Sequence, residues 1–314
     1  MPLLFVGPLL LIFLVFYLWP AVQTVLGSFF RWGLLNPWKP FDPGRWRFVG
    51  LDNYVTVLSS GDFWNAAVNT FIWLVMLPLL VGVVALALAI MLWFIGRGSS
   101  VFRSIFVLPL TMSLAAIGVI WTFVYNPDPG VGVLNAALQP IGLNDASLDL
   151  GWLKVNLGQW LANLGSLQLG PVEIKLTNFA LVIPAFWAFT GFGVITFTAG
   201  LTSLSDDLLE AAKMDGAGPL QTVRHVIIPS LRGPMIVVLV QMVIFALRTF
   251  DIVYVMTGGG PGDDTMVLAL LLWLMAFTYL DTPQAGQAAA IAVLLSGALV
   301  VMAYPYLRRL TREG

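Results

Sequence analysis

The sequence predicts an all-α integral membrane protein with about six transmembrane helices. Three observations carry that expectation. Of 314 residues, 59% are hydrophobic and only 10% are charged, against about 25% charged in a typical soluble domain. Mean hydropathy is +0.91, so the chain cannot cover a water-facing globule with polar groups. Six stretches stay apolar long enough for a helix to cross a hydrocarbon core about 30 Å thick, where every backbone amide and carbonyl must be satisfied within the segment.

Those stretches are 3–22, 66–94, 105–125, 179–201, 234–256 and 287–307. The first lacks the basic leader and small-residue cleavage site of a signal peptide and reads as a retained helix. The second is long enough to tilt. A seventh run, 266–279, is shorter and flanked by Asp263, Asp264 and Asp281, which suits an interfacial or re-entrant helix. The whole chain, 1–314, is read as a single transmembrane domain whose core spans occupy about 66–307.

Lys and Arg in short flanks set the orientation. Arg97 with Arg103, Lys213 with Arg224 and Arg232, and Arg308, Arg309 and Arg312 all fall on one side together with the N-terminus. That side is expected to be cytoplasmic. The first loop on the opposite side carries Arg31, Lys39, Arg45 and Arg47, offset by Asp42, Asp52 and Asp62. The outside loops 31–65 and 126–178 are rich in Trp, Pro, Gly and Asn and read as folded but short of domains. An Asn-Leu-Gly echo at 156–158 and 163–165 marks a small hairpin or helical insertion.

Several chemistries fall away. With 15 basic and 16 acidic residues, nothing points to nucleic acid. The absence of cysteine removes disulfides, thiolate metal sites and cysteine nucleophiles. One histidine, His225, in a polar loop makes neither a metal cluster nor a Ser-His-Asp triad. The chain is not expected to be an enzyme.

The polar loop 202–233 reads locally as two short helices. Ser205 with Asp206 and Asp207 forms a capped, acid-rich start. Gly216 and Gly218 permit a sharp turn, Pro219 suits the first turn of a second helix, and Pro229 and Pro234 close the unit.

Glu210-Ala211-Ala212, three residues, Gly216, nine residues, then Val226-Ile227-Ile228-Pro229 resembles the EAA loop of binding-protein-dependent ABC importer permeases. The resemblance implies a type I importer permease fold whose cytoplasmic loop docks on an ATPase subunit. Within it, Ala211 and Ala212 would allow close helix approach, Glu210 and Asp215 would offer charge to the partner, Gly216 would set the bend and Pro229 would end the motif. The chain has no G-x-x-x-x-G-K-[ST] phosphate cradle, so ATP and Mg are expected on partner subunits, with no cofactor in this chain.

Further matches cover most of the chain. Phe48-Val49-Gly50-Leu51-Asp52-Asn53-Tyr54, Asn69-Thr70, Leu108-Pro109 with Trp121, and the string 250–261 ending Thr257-Gly258-Gly259-Gly260-Pro261 are similar to the first-type permease of the maltose, glycerol-phosphate and α-glucoside group. The tail 288–309 resembles α-glucoside members. Leu204-Ser205 departs from the usual Ile-Pro, and the loop 126–178 is longer than the family's. The resemblance implies a sugar importer in a bacterial cell membrane, moving an α-glucoside or a maltose- or trehalose-type disaccharide, with both termini cytoplasmic. Its partners would be a second permease, two ATP-binding subunits, an extracytoplasmic sugar-binding protein and the lipid bilayer.

Within the membrane, Arg248 and Asp251 are three apart and, in a continuous helix, share a face. An ionisable group at depth costs several kcal/mol unless paired or hydrated. They are read either as part of a sugar path with Thr249 and Tyr254, or as a structural pair holding the 258–260 loop. Trp121, Trp187, Thr190 and Phe192 are further path candidates, while Ser113, Asn69 and Gln241 suit helix–helix contacts. Two alternatives stay open: a self-contained secondary carrier, which would need ion-coupling residues and inverted repeats, and a permease for a glycerol-phosphate-type substrate.

Overall fold

The computed structural model describes residues 2–33, 35, 47–96, 99–170, 172–278 and 284–313. Lys39, Asp42, Arg45, Arg97 and Asp281, used in the charge reading above, lie outside the described residues. So do the side chains of Asp206, Arg308, Arg309 and Arg312.

The chain opens with α1 (Pro2–Phe13), which passes through a π-turn at Leu14–Leu18 into α2 (Trp19–Gly27). Val6–Gly27 has a hydropathy of 2.2 and 0% of its window buried, as expected of a helix solvated by lipid. A two-residue ladder joins β1 (Phe30–Arg31) to β2 (Arg47–Phe48). Next come α3 (Asp52–Ser59) and α4 (Gly61–Ile95).

At 35 residues, α4 runs about 52 Å at roughly 1.5 Å per residue, longer than the bilayer core. Its two faces are both apolar but differ in burial. Trp73, Leu77, Val81, Ala85 and Ala89 are fully buried, whereas Phe71, Val75, Leu79, Val83 and Met91 are exposed. The buried stripe narrows to alanines, and a Cβ added to Gly193 would come within 2.5 Å of the Ala85 Cβ. Small residues on both helices therefore let the backbones approach closely.

The stretch expected to cross as one helix at 105–125 is instead α5 (Ser99–Val107), a 3-10 turn at Leu108–Thr111 and α6 (Leu114–Val124). The two helices bend by 101°. The cause is local. Pro109 has no amide hydrogen to continue a helix, and Ser113, in an extended conformation, accepts from the Ala116 amide at 3.2 Å to cap a new one.

The loop 126–178 holds α7 (Val133–Leu138) and a four-stranded antiparallel sheet of β3 (Ser147–Asp149), β4 (Leu153–Asn156), β5 (Gly165–Leu169) and β6 (Val172–Lys175), in that spatial order. The Asn-Leu-Gly echo belongs to this sheet and not to a helix. Asn156 ends β4 and donates to the Asn163 carbonyl at 3.1 Å, while Gly165 opens β5 at φ +117°, a backbone conformation that favours glycine.

α8 (Thr177–Thr202) has 61% of its window buried, the highest share among the candidate spans. Beyond it lie α9 (Asp206–Met214), α10 (Pro219–Thr222), a π-turn at Val223–Ile227 and α11 (Ile228–Ser230). The stretch expected at 234–256 is again broken, into α12 (Arg232–Leu247) and α13 (Asp251–Met256). α14 (Leu268–Phe277) has 10 residues, about 15 Å, too short to cross. The chain ends on α15 (Ala285–Glu313). Among the described residues four helices are long and apolar enough to cross a membrane, and six spans result when each bent pair counts as one.

These elements form two compact units, Met1–Val68 with Met266–Gly314, and Asn69–Thr265. In the first, α2, α3 and α14 pack on α15. The buried Asn53 amide donates to the Ser28 and Phe30 carbonyls at 2.8 and 3.0 Å. In the second, α8 is the hub for α5, α6, α12 and α13. A Cβ on Gly191 would overlap the Phe106 carbonyl, so α5 and α8 touch backbone to backbone.

Candidate functional site

Two places in the second unit carry the candidate residues. The first is the polar loop. Ser205 occupies the position before α9 in an extended conformation but makes no side-chain cap. The expected capping bond is thus absent, and only its carbonyl serves, accepting from the Leu208 amide at 3.2 Å.

The turn behaves as the glycines predict. Gly216 has φ +77°. Its amide donates to the Lys213 carbonyl and that of Ala217 to the Ala212 carbonyl, both at 3.0 Å, which is the paired Schellman closure of a helix end. Pro219 then opens α10, and the Gly218 amide donates to the Gln221 side-chain oxygen at 2.9 Å. Pro229 lies two residues past the end of the π-turn, which lengthens the hydrogen-bond spacing close to where an amide is missing. Fully buried Ile227 and Leu231 anchor the segment.

This folding sorts the motif onto two faces. Ala212 is buried, while Glu210, Ala211, Asp215 and Gly216 are exposed. Met214 and Leu220 stand out at 87% and 80% exposed. A surface with two bare apolar side chains between carboxylates is built to be covered.

The second place is a cavity of about 170 Å³. Phe189 of α8 and Phe245 of α12 stack on one wall, ring centres 4.2 Å apart. Trp73 of α4, Leu114 and Ala185 add apolar surface, and the chain from Arg248 to Ile252 supplies the polar edge. The Trp73 indole N–H is buried and has no hydrogen-bond acceptor among the described residues. Thr249 donates to the Phe245 carbonyl at 3.1 Å, leaving its oxygen lone pairs free to accept.

Arg248 and Asp251 do not share a helical face. Arg248 closes α12, Asp251 opens α13, and Phe250 between them sits at φ −140°, ψ −59°. Among the described residues no ion pair joins the two, so the expected mutual compensation is not formed. What brings both charges to the cavity is the break itself.

A family model for the inner membrane component of binding-protein-dependent transport systems matches residues 54–313. The chain belongs to that family. Among the transport components it resembles is the osmoprotective compounds uptake permease protein GgtC of Synechocystis, 32% identical over 98% of this chain and 97% of that one. Another is the trehalose/maltose transport system permease protein MalF of Thermococcus litoralis, 32% identical over 93% and 87%. In fold it matches a bacterial ABC transporter that imports alginate, with a TM-score of 0.73 at 19% identity, covering 98% of this chain and 93% of that one. The same transport system has been seen in complex with a periplasmic protein carrying an alginate pentasaccharide. The fold is therefore that of an ABC importer permease, a multi-pass membrane component.

Within this inner membrane component, three of the eight expected path residues meet at the cavity: Arg248, Thr249 and Asp251. The other five lie elsewhere. Tyr254 stacks on Phe250 at 5.2 Å, half exposed. Trp121 meets Trp187 edge-on at 6.1 Å, Thr190 is buried and donates to the Phe186 carbonyl at 2.6 Å, and Phe192 lines no part of the cavity. The sequence reading missed Trp73, Ala185, Phe189 and Phe245. A signal existed, since Ala185 with Phe189 and Phe245 with Thr249 are each four apart and share a face.

Proposed function

We propose that this chain is one of two membrane-spanning permeases of an ATP-driven importer for a sugar of the α-glucoside or maltose/trehalose disaccharide class. The observation that carries the reading is the two-faced loop 202–233. Its inner face is anchored, its outer face presents Glu210, Asp215, Met214 and Leu220, and the chain has no phosphate cradle of its own. The outer face docks on a separate ATP-binding subunit, one for each permease, where ATP and Mg are held. The loop and both termini lie in the cytoplasm, and a sugar-binding protein delivers cargo from the other side.

The cavity supports the substrate class. Stacked aromatics suit the C–H face of a sugar ring, while Thr249, Arg248, Asp251 and the unpartnered Trp73 N–H suit its hydroxyls. At about 170 Å³ it is smaller than the roughly 300–1,000 Å³ of usual ligand pockets, in keeping with a path completed by a second permease.

The test is sugar-stimulated ATP hydrolysis by the assembled complex in proteoliposomes. Glu210→Lys is expected to cut stimulation at least tenfold while membrane insertion and subunit assembly persist. Full stimulation in that variant sinks the reading.

A further inference from the structure

A groove of about 480 Å³, larger than the path cavity, lies where α4 ends against the coupling loop. Trp93 and Phe94, in the last turn of α4, meet edge to face at 5.1 Å. Leu209 and Lys213 of α9 and the Pro219–Thr222 helix supply the opposite wall. Among the described residues, Lys213 is the one charged side chain in the lining, and it has no ion-pair partner.

Four features point to one kind of occupant. The groove sits at the end of a membrane-spanning helix, the level at which Trp and other amphipathic rings meet lipid headgroups. The exposed stripe Phe71, Val75, Leu79, Val83, Met91, Phe94 leads along α4 into it. That stripe covers about 35 Å at roughly 1.5 Å per residue, enough for an acyl chain. A lone ammonium over an apolar floor, with no carboxylate among the described lining residues, favours an anion carrying its own apolar body.

We infer that this groove binds an anionic phospholipid, its phosphate on Lys213, its glycerol region against Trp93 and Phe94, and one acyl chain along the exposed stripe of α4. The lipid would wedge between α4 and the inner face of the coupling loop, leaving the outer face with Met214 and Leu220 free for the ATP-binding subunit. The inference rests on the importer reading only for the choice of the cytoplasmic leaflet.

The experiment takes the complete transport complex in nanodiscs of equal parts dioleoyl-phosphatidylglycerol and dioleoyl-phosphatidylcholine, extracts it, and counts retained lipid by native mass spectrometry. Wild type is expected to keep phosphatidylglycerol at least fivefold over phosphatidylcholine, Lys213→Gln to lose that preference, and Trp93→Ala to lose retention of both lipids. A photoreactive phosphatidylglycerol should label the peptide holding 93–94. Equal retention of the two lipids by wild type, unchanged preference in Lys213→Gln, or a photoreactive residue at 93 that crosslinks to the ATP-binding subunit instead of lipid overturns the proposal. Because the readout needs no turnover, missing sugar-stimulated ATPase with intact lipid preference would remove the importer reading and leave the lipid site standing.

Discussion

Asn178 donates to the side-chain oxygen of Asn69 at 3.0 Å, in full burial, although the two are 109 residues apart. Both amides also reach the Asp264 carbonyl at 3.1 Å. The start of α8, the buried side of α4 and the end of the glycine-rich 258–264 turn thus share one polar knot inside an apolar protein. Leaving a buried polar group unmatched costs about 1–3 kcal/mol. Asn178→Leu, which removes a donor to the Asn69 oxygen and another to the Asp264 carbonyl, is expected to lower the melting temperature of the purified complex by several degrees. An unchanged melting curve would show that the knot contributes nothing.

A prediction about helix packing follows from Gly191. Its missing side chain faces the Phe106 main chain, which cannot swing away as a side-chain end can. Gly191→Ala should prevent assembly. At Gly82 the added Cβ would meet only the Leu239 Cδ2 at 3.4 Å, and Gly82→Ala should assemble normally. Yields after size-exclusion chromatography separate the two, and equal yields contradict the backbone contact.

The turn at Gly216 allows a matched pair of substitutions. Gly216 sits at φ +77° and donates its amide to Lys213. Proline can reach neither that conformation nor that bond, whereas asparagine tolerates the left-handed region. Gly216→Pro should therefore abolish stimulated ATPase, and Gly216→Asn should keep most of it. Loss in both variants would mean that the position is sensitive for a reason other than its backbone.

Separate helices for Arg248 and Asp251 change what a charge swap should do. Were they a helical pair, exchanging them would restore function. As distinct rim groups they should not compensate, so Arg248→Asp with Asp251→Arg is expected to stay as defective in uptake as either single change. Recovery of uptake in the swapped variant would reinstate the pair.

In the 126–178 loop, a hydrogen bond from Lys175 to Glu173 at 3.0 Å raises the lysine above its usual range against the opposing effect of burial, helped by Asp264 at 3.7 Å. The same bond holds Glu173 below the usual carboxylate range. A raised lysine contributes stability in full below about pH 10.4 and loses it as pH climbs through the folded value. A depressed carboxylate contributes above about pH 4.3 and loses it as pH falls through its folded value. The Tm difference between wild type and Lys175→Met should be flat between those limits and shrink outside them. It should also be small, since partly exposed pairs are worth about 0–1 kcal/mol.

Composition and period made the membrane class, the six apolar stretches and the two helices of the 202–233 loop legible, because each rests on local chemistry: chain length against bilayer thickness, glycine at a left-handed turn, proline at a helix start. Two breaks were not. The 105–125 run stays largely apolar through Ser113, and in the 234–256 run the charges Arg248 and Asp251 at the interruption read equally well as a pair on one unbroken helix. Nor does apolar pattern tell the inner face of α4 from its outer face when both are apolar. Trp73, Leu77 and Ala85 lie inside and Phe71, Leu79 and Met91 outside, with no difference of polarity between the two sets. Of the path residues expected from polarity, Arg248, Thr249 and Asp251 line the cavity. The aromatic wall of Phe189 and Phe245 depends on which faces of α8 and α12 meet, a tertiary fact with no one-dimensional signature.

The interruptions at Ser113–Leu114 and at 248–250 both open onto the cavity, through Leu114 on one side and 248–252 on the other. Where a helix is cut, its end groups lose partners within the helix and are met by others, as the Ser113 hydroxyl meets the Ala116 amide and the Phe250 carbonyl the Tyr254 amide. Substitution does not rewrite such groups, since every residue but proline brings the same pair. A cavity cornered by two helix breaks can thus vary widely in its side chains while the main-chain turns that shape it persist.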